Sequence, residues 1–410
     1  MLTDDRQLYD VLVVGVTLMA LGWLIVGLVR VARRTRPGLE LARPLAAAAA
    51  TRIGVAALVA AVPALRPLRG PDEINFLIEA HRLAEDSSFL GPMPRGLLAN
   101  LHVGYMGMQE RLLEPTSDFP FRIGHIALAI VAIAIVAIAV TDLAGPRAGR
   151  ISAWILAFEP TNVFFSGVLH KEAPMLLGEA LVILGAVRMY QRRDALALLF
   201  MAPGIAIAWF ARPYAGAALL VACAAVCVHA ALRRLGPERR RAPRMLVGVG
   251  LAAIVAAAAA PAPAAVFRTV QLSQNANATD ASNLALDPVD FSSLTSTGTH
   301  LGPRVKALLL QPYPWQVANA NQRAGVIGTA AAWLLLTLTV MLAVTRLRLV
   351  VTTLMPLLYV IGALTLIYTL SAGNAGTGFR YRTHILVVLV AIFAVLLLAH
   401  AKPMRYLSRR

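Results

Sequence analysis

Charge is the first thing this sequence lacks. Only 14% of its 410 residues are Asp, Glu, Lys or Arg, where a soluble globular domain carries about 25%. With 58% hydrophobic residues and a mean hydropathy of +0.69, that shortage excludes an ordinary water-soluble domain. Cysteine is scarcer still. Cys223 and Cys227 both lie inside one apolar run, so there is no disulfide framework and no cysteine-rich metal pattern. Four residues apart, they share a helix face as small packing residues. His81, His102, His125 and His300 form no His-Glu-x-x-His pattern, and Ser166 has no nucleophile-elbow context, so zinc hydrolysis and covalent serine catalysis are not expected. Acids are few, 21 against 38 Lys and Arg, for a net charge of +17. The basic residues cluster in short segments between apolar runs, as the positive-inside rule requires of a membrane protein. They call for no nucleic acid.

What the chain does have is repetition of apolar runs near 20 residues, each able to cross a bilayer as a helix. The reading is all-α: a polytopic transmembrane bundle of about eleven spans, forming a single transmembrane domain over 1–410. The runs fall at about 8–30, 44–65, 123–142, 151–169, 172–188, 195–210, 215–232, 245–266, 326–344, 349–370 and 383–400. The first run follows acidic Asp4 and Asp5 and lacks a convincing cleavage site, so it reads as a retained helix. Two long polar segments interrupt the series. The first, 66–122, carries an amphipathic surface helix closed by Pro92 and Pro94; the second, 267–325, is rich in Asn, Ser and Thr. Odd-numbered runs end in basic turns. This places the N-terminus outside, the C-terminus in the cytoplasm, and both long loops on the outer face of a bacterial inner membrane.

The stretch from Phe158 to Glu172 organises the rest. Glu159-Pro160 and Gly167 disturb a helix within it, and Glu159, His170, Lys171 and Glu172 bring ionisable groups to the membrane boundary. Such groups usually face protein or a water-filled cavity. A broken or re-entrant helix fits here as well as a simple turn. Three further polar sets belong to the same face by topology. Asp72 and Glu73 follow the second run; either carboxylate could serve as a general base, or the pair could hold a divalent cation, Mg or Mn. Solvated loop acids would look the same. Arg212-Pro213-Tyr214 ends the sixth run. Arg380, Arg382 and His384 follow a Gly-rich loop over 371–382. Arginine outside runs against the positive-inside trend, and its planar fork of donors suits phosphate oxygens. Lys171 adds a cation. The segment Pro312-Tyr313-Pro314-Trp315 reads as an interfacial anchor, or as a surface on which Trp315 stacks a sugar.

The run Pro71-Asp72-Glu73 with Phe76 resembles the first outer loop of GT-C-type membrane glycosyltransferases, the group of dolichyl-phosphate-mannose protein mannosyltransferases and aminoarabinose transferases. Glu159-Pro160 through Lys171-Glu172, Pro312 through Trp315, and Asn374 through Arg382 are similar to segments of polytopic proteins of bacterial surface-polysaccharide assembly, family-39-like or O-antigen-polymerase-like. Together these motifs spread over about three quarters of the chain. The resemblance implies a GT-C-like fold. It makes Asp72 the first choice of catalytic base and Glu73 the second, with Glu172 beside the sugar. An acceptor hydroxyl on a saccharide or lipid would attack the anomeric carbon of a polyprenyl-linked sugar, with inversion. The sequence departs from that group in placing the acidic loop after the second run rather than the first. The alternatives left standing are a polymerase of lipid-linked repeats, where arginines dominate, and a flippase for an anionic lipid-linked saccharide.

Overall fold

The computed structural model describes residues 2–86, 100–192, 194–233, 284–290, 293–317 and 320–398, with a few positions between 268 and 276. The apolar run at 245–266, the two prolines Pro92 and Pro94, most of 267–283 and the basic tail lie outside the described residues. The first half of the fold contains α1 (Leu2–Thr35), α2 (Ala42–Ala61), α3 (Gly70–Asp86), α4 (Leu101–Leu113), α5 (Phe119–Ala144), α6 (Pro146–Phe158), α7 (Pro160–Gly167) and α8 (Glu172–Arg192). It continues with α9 (Leu198–Ala211), α10 (Pro213–Leu232), α11 (Leu294–Leu310), α12 (Ala320–Thr345), α13 (Leu347–Thr353), α14 (Met355–Ser371) and α15 (Ala375–Leu398). The protein is an all-helical, multi-span bundle.

Seven described helices are long and apolar enough to cross a membrane: α1, α2, α5, α8, α10, α12 and α15. An eighth is added if α13 and α14, which meet at 87°, count as one span. These are the spans among the described residues; the expected run at 245–266 lies outside them, so the count of eleven is not reached there. The run at 195–210 forms a shorter helix, and the run at 151–169 is broken in two. α8 and α15 are the most enclosed spans and α1 the least.

The break at Glu159 has a local cause. Pro160 cannot donate a backbone hydrogen bond, so it starts α7 rather than continuing α6. The Glu159 carboxylate caps the new helix, accepting from the Asn162 N–H and the Asn162 side-chain amide at 2.7 Å each, from the Thr161 N–H at 3.1 Å and from the Thr161 hydroxyl. The freed carbonyls at the end of α6 also find donors. Arg52, fully buried on α2, donates to the Leu156 and Ala157 carbonyls at 3.0 and 3.4 Å, and Thr51 donates to Ala157 at 3.0 Å. Broken backbone at this depth persists only when its polar groups are satisfied inside the protein.

α8 and α9 cross at glycine. A Cβ on Gly178 would meet the Gly204 carbonyl at 2.8 Å, and one on Gly204 would meet the Gly178 carbonyl at 2.6 Å. Small residues let the two backbones approach this closely, which is how membrane helices gain packing without a hydrophobic driving force. The segment expected as a Gly-rich loop is mostly helix. Asn374 Oδ1 accepts from the Thr377 N–H at 2.8 Å and opens α15, so Arg380 and Arg382 stand on its second turn. A short polar residue before a helix is a start signal that outweighs the glycines following it.

Side-chain contacts sort the helix ends into two faces. Asp142, near the end of α5, joins Arg36 after α1 and Arg188 and Arg192 near the end of α8. Tyr190 of α8 donates to the Thr352 carbonyl beside the start of α14, and Arg346 after α12 donates to Leu396 near the end of α15. The opposite face gathers the starts of α3, α5, α8, α10 and α15. The basic residues after α1 and at the end of α8 thus share one face with the end of α5.

Candidate functional site

Two adjoining charge networks occupy the face opposite the basic turns. The first centres on Glu73, whose side chain is fully buried. Arg69 and Arg122 both donate to its Oε1, and the Leu169 N–H donates to Oε2 at 3.0 Å. Asp118 accepts from Arg122 at 2.9 Å and from Arg69, while Arg122 also reaches the Gly167 carbonyl at 3.1 Å. Burial would raise the Asp118 pKa, but Arg122 and Arg69 outweigh it and hold the carboxyl below its usual range. Glu73 thus ties α3, α5 and the α7–α8 turn together.

The second network centres on Glu172, at the start of α8. Its Oε1 accepts from Arg212 at 2.5 Å and from Arg380 Nε at 3.1 Å. Arg380 turns its other side outward and donates through Nη1 to Asp72 at 2.6 Å. Burial differs sharply along this chain: the Glu172 side chain is 2% exposed and that of Asp72 is 46% exposed. Burial by itself would lower the Arg212 pKa; the Glu172 carboxylate overrides it and raises it. Arg212 Nη1 and Glu172 Oε2 have no hydrogen-bond partner among the described residues.

His170 bridges the two networks by donating from Nε2 to the Arg69 carbonyl at 3.0 Å. Burial, and then Arg380, bring its pKa down to about 4. It is therefore neutral near pH 7, and with Nε2 carrying the proton its unpartnered Nδ1 is an acceptor. Lys171 has no carboxylate within ion-pairing distance among the described residues. Its ammonium lies 5.3 Å from the centre of the Phe76 ring. Burial, then Arg212 and Arg380, lower its pKa. A cation held beside two other cations gains most when an anion joins it.

Beneath Glu172 the polar groups continue inward. His384 Nδ1 lies 3.2 Å from Glu179 Oε2, both fully buried. Tyr368 stacks on Tyr381 at 4.6 Å, and the Tyr381 and Tyr214 hydroxyls share a 2.6 Å hydrogen bond. The Arg212 guanidinium sits 4.9 Å from the Tyr381 ring centre.

Of the residues expected at the site, the structure brings together Asp72, Glu73, His170, Lys171, Glu172, Arg212 and Arg380. Tyr214 supports Tyr381 just below. Glu159 is occupied as the α7 cap. Arg382 donates to the Leu309 and Gln311 carbonyls at 3.0 and 2.9 Å and to Thr329 at 2.8 Å, closing the end of α11, and so stands apart from Arg380. His384 lies deeper, with Glu179. Trp315 is 77% exposed and stacks on Tyr313 at 4.9 Å, away from the networks. Asp72 and Glu73 diverge to different arginines rather than converging on a cation position. Among the described residues no group of three or more His, Cys, Asp and Glu is placed to hold a metal ion.

Sequence reasoning missed Arg122 and Asp118, and gave Arg69 and Arg52 no role. Arg122 carried the same signal as Arg212: an arginine at the start of a span on the face that should have few. Arg69 with Glu73 and Asp118 with Arg122 are both four residues apart, the spacing of neighbours on a helix surface. Arg52 had no signal beyond being a charge inside an apolar run. The chain matches no protein-family model, no curated protein and no solved structure.

Proposed function

We propose that this protein is a membrane glycosyltransferase of the bacterial inner membrane. In this reading it works on the outer face, with its N-terminus outside and its C-terminus cytoplasmic. It transfers a sugar from a polyprenyl-phosphate or polyprenyl-diphosphate carrier to a saccharide or lipid acceptor during cell-envelope glycoconjugate assembly. The observation that carries the reading is the Arg380 bridge. One guanidinium joins a half-exposed carboxylate, Asp72, to a buried one, Glu172, beside Lys171, whose ammonium lies against the Phe76 ring, and Arg212, whose Nη1 has no hydrogen-bond partner among the described residues.

Each group then has a task. The donor phosphate takes Arg380 and Lys171, and displaces Asp72 from Arg380. Freed, Asp72 accepts the proton of the acceptor hydroxyl as that oxygen attacks the anomeric carbon. The bond from that carbon to the phosphate oxygen breaks with inversion, and the charge left on the carrier phosphate is stabilised by Arg380 and Lys171, with Arg212 behind them. Glu172 fixes both arginines. His170 Nδ1 accepts a hydrogen bond from a sugar hydroxyl. Asp72 alone serves as base, because Glu73 is enclosed by Arg69, Arg122 and the Leu169 N–H. The two adjacent acids do not suit a divalent cation, so no step is assigned to one.

The second reading is a polymerase of lipid-linked repeats, favoured by the contact Asp72 already makes with Arg380: there the arginines act and no carboxylate need be a base. The test is glycosyl transfer by purified protein in lipid with a panel of polyprenyl-phosphate and polyprenyl-diphosphate sugars. Loss of turnover in both Asp72→Asn and Arg380→Ala, with folding retained, supports the transferase. Loss in Arg380→Ala alone supports the polymerase. No turnover with any donor, together with movement of the lipid-linked saccharide across the bilayer, sinks both in favour of a flippase.

A further inference from the structure

The basic face carries a site of its own. Near the end of α5, Asp142 is almost completely buried, its side chain 4% exposed. Arg36 takes this carboxylate with both sides of its fork, Nε to Oδ1 and Nη2 to Oδ2 at 2.7 Å. Both carboxylate oxygens are therefore engaged by one arginine. Arg188 and Arg192 approach the same carboxylate only at 3.7 and 3.6 Å, beyond ordinary hydrogen-bond length. Arg188 Nε is buried and has no hydrogen-bond partner among the described residues, and its guanidinium is braced 4.5 Å from the Phe200 ring centre. Among the described residues, three arginines around one carboxylate are two positive charges in excess, with planar donor forks held close together. Planar donor forks arranged in this way match the oxygens of a phosphate.

The surroundings say which phosphate. Val31, in the last turns of α1, and Leu196, Leu198 and Leu199, around the start of α9, are all exposed. Apolar surface directly beside a charged cluster at the end of membrane-spanning helices fits acyl chains below a headgroup, and basic pockets between such helices bind anionic lipid headgroups. We propose that Arg188 and Arg192, positioned by Arg36 and Asp142, bind the phosphate of an anionic phospholipid at the membrane surface on the basic face. The site is independent of the transferase reading, since it lies at the other end of the bundle.

The experiment is native mass spectrometry of the full-length protein released from detergent, titrated with phosphatidylglycerol or phosphatidylcholine. The test variant is Arg188→Gln/Arg192→Gln. The control is Arg33→Gln/Arg34→Gln, which removes the same two charges from exposed positions on the same face. Wild type and control should retain phosphatidylglycerol in preference to phosphatidylcholine, and the test variant should lose at least about tenfold in phosphatidylglycerol affinity, a difference of about 1.4 kcal/mol. Equal losses in both double variants would mean general attraction to a basic surface and would overturn the site. So would no loss in either. A third arm adds inorganic phosphate: displacement of the lipid at low millimolar phosphate would reassign the site to a soluble anion. If the double variant does not fold, Arg192→Gln alone, at a 40% exposed side chain, carries the same comparison.

Discussion

Glu172 and Asp142 stand toward opposite ends of one helix bundle, and each is approached by more than one arginine. Around Glu172 and its neighbour Glu73 the arginines are matched by acids. Arg69 and Arg122 meet Glu73 and Asp118, while Arg212 and Arg380 meet Glu172 and Asp72. Around Asp142 three arginines share one carboxylate. The difference teaches what each face does with arginine. On the matched face the guanidinium is a buried structural strut, and Arg212 Nη1 there has no hydrogen-bond partner among the described residues. On the unmatched face it is a charge in excess, held near the surface where water and lipid headgroups are available. A pair that is buried and hydrogen-bonded is strongly destabilised by losing one partner, because the other charge is left in low dielectric. A long cation near the membrane surface can instead extend its charged head outward.

The comparison breaks first at its strongest member. Arg122→Ala should cost about 3–5 kcal/mol of stability, read as loss of monodisperse protein and a lowered unfolding temperature in detergent. Asp142→Asn should cost clearly less, since its arginines can reorient toward water; an equal or larger loss would show that the two faces are held by the same physics. Next in size is the exposed end of the matched network. Asp72→Asn should lower sugar transfer by about 10²–10⁴-fold, and Arg380→Ala by about 10²–10³-fold, with the unfolding temperature of Asp72→Asn unchanged. A stability loss in Asp72→Asn would make Asp72 a strut like Glu73.

A smaller effect sharpens the picture through pH. His170 has a folded pKa of about 4, caused first by burial, against about 6.5 in an unfolded chain. Between those values the unfolded chain takes up a proton that the folded chain refuses. Stability contributed here is complete above about pH 6.5 and falls as pH drops toward 4. Unfolding midpoints measured across that window should decline with acidity, and His170→Gln should flatten the decline. The smallest change is expected at Glu40–Arg150, a 3.0 Å pair on the basic face with both side chains largely exposed. Glu40→Gln should shift stability by less than about 1 kcal/mol.

Much of the bundle was legible because membrane helices announce themselves by length and apolarity, and because basic turns sort to one face. The candidate site was legible in part for a related reason. Asp72, Lys171, Glu172, Arg212 and Arg380 are charges at the edges of apolar runs, where they are conspicuous. What stayed hidden was pairing. Arg380 and Arg382 are two residues apart on a helix and therefore point in different directions. One meets Asp72 and Glu172 and the other closes α11, a distinction that spacing alone does not assign to either. Glu159 looked like a site acid because it lies in the same polar stretch, 158–172, as Lys171 and Glu172; the break at Pro160 made it a cap instead.

Composition and hydropathy by themselves determined that this chain is a helical membrane protein with one basic face and one polar face, since burial of apolar runs and the cost of moving charges across a bilayer depend only on local sequence. Tertiary structure alone decided which acid stayed half exposed, which was enclosed, and which arginine kept a free donor. Those outcomes depend on contacts between residues as far apart as Asp72 and Arg380, and burial and pairing at such distances are set by how helices pack, not by the residues within any one of them.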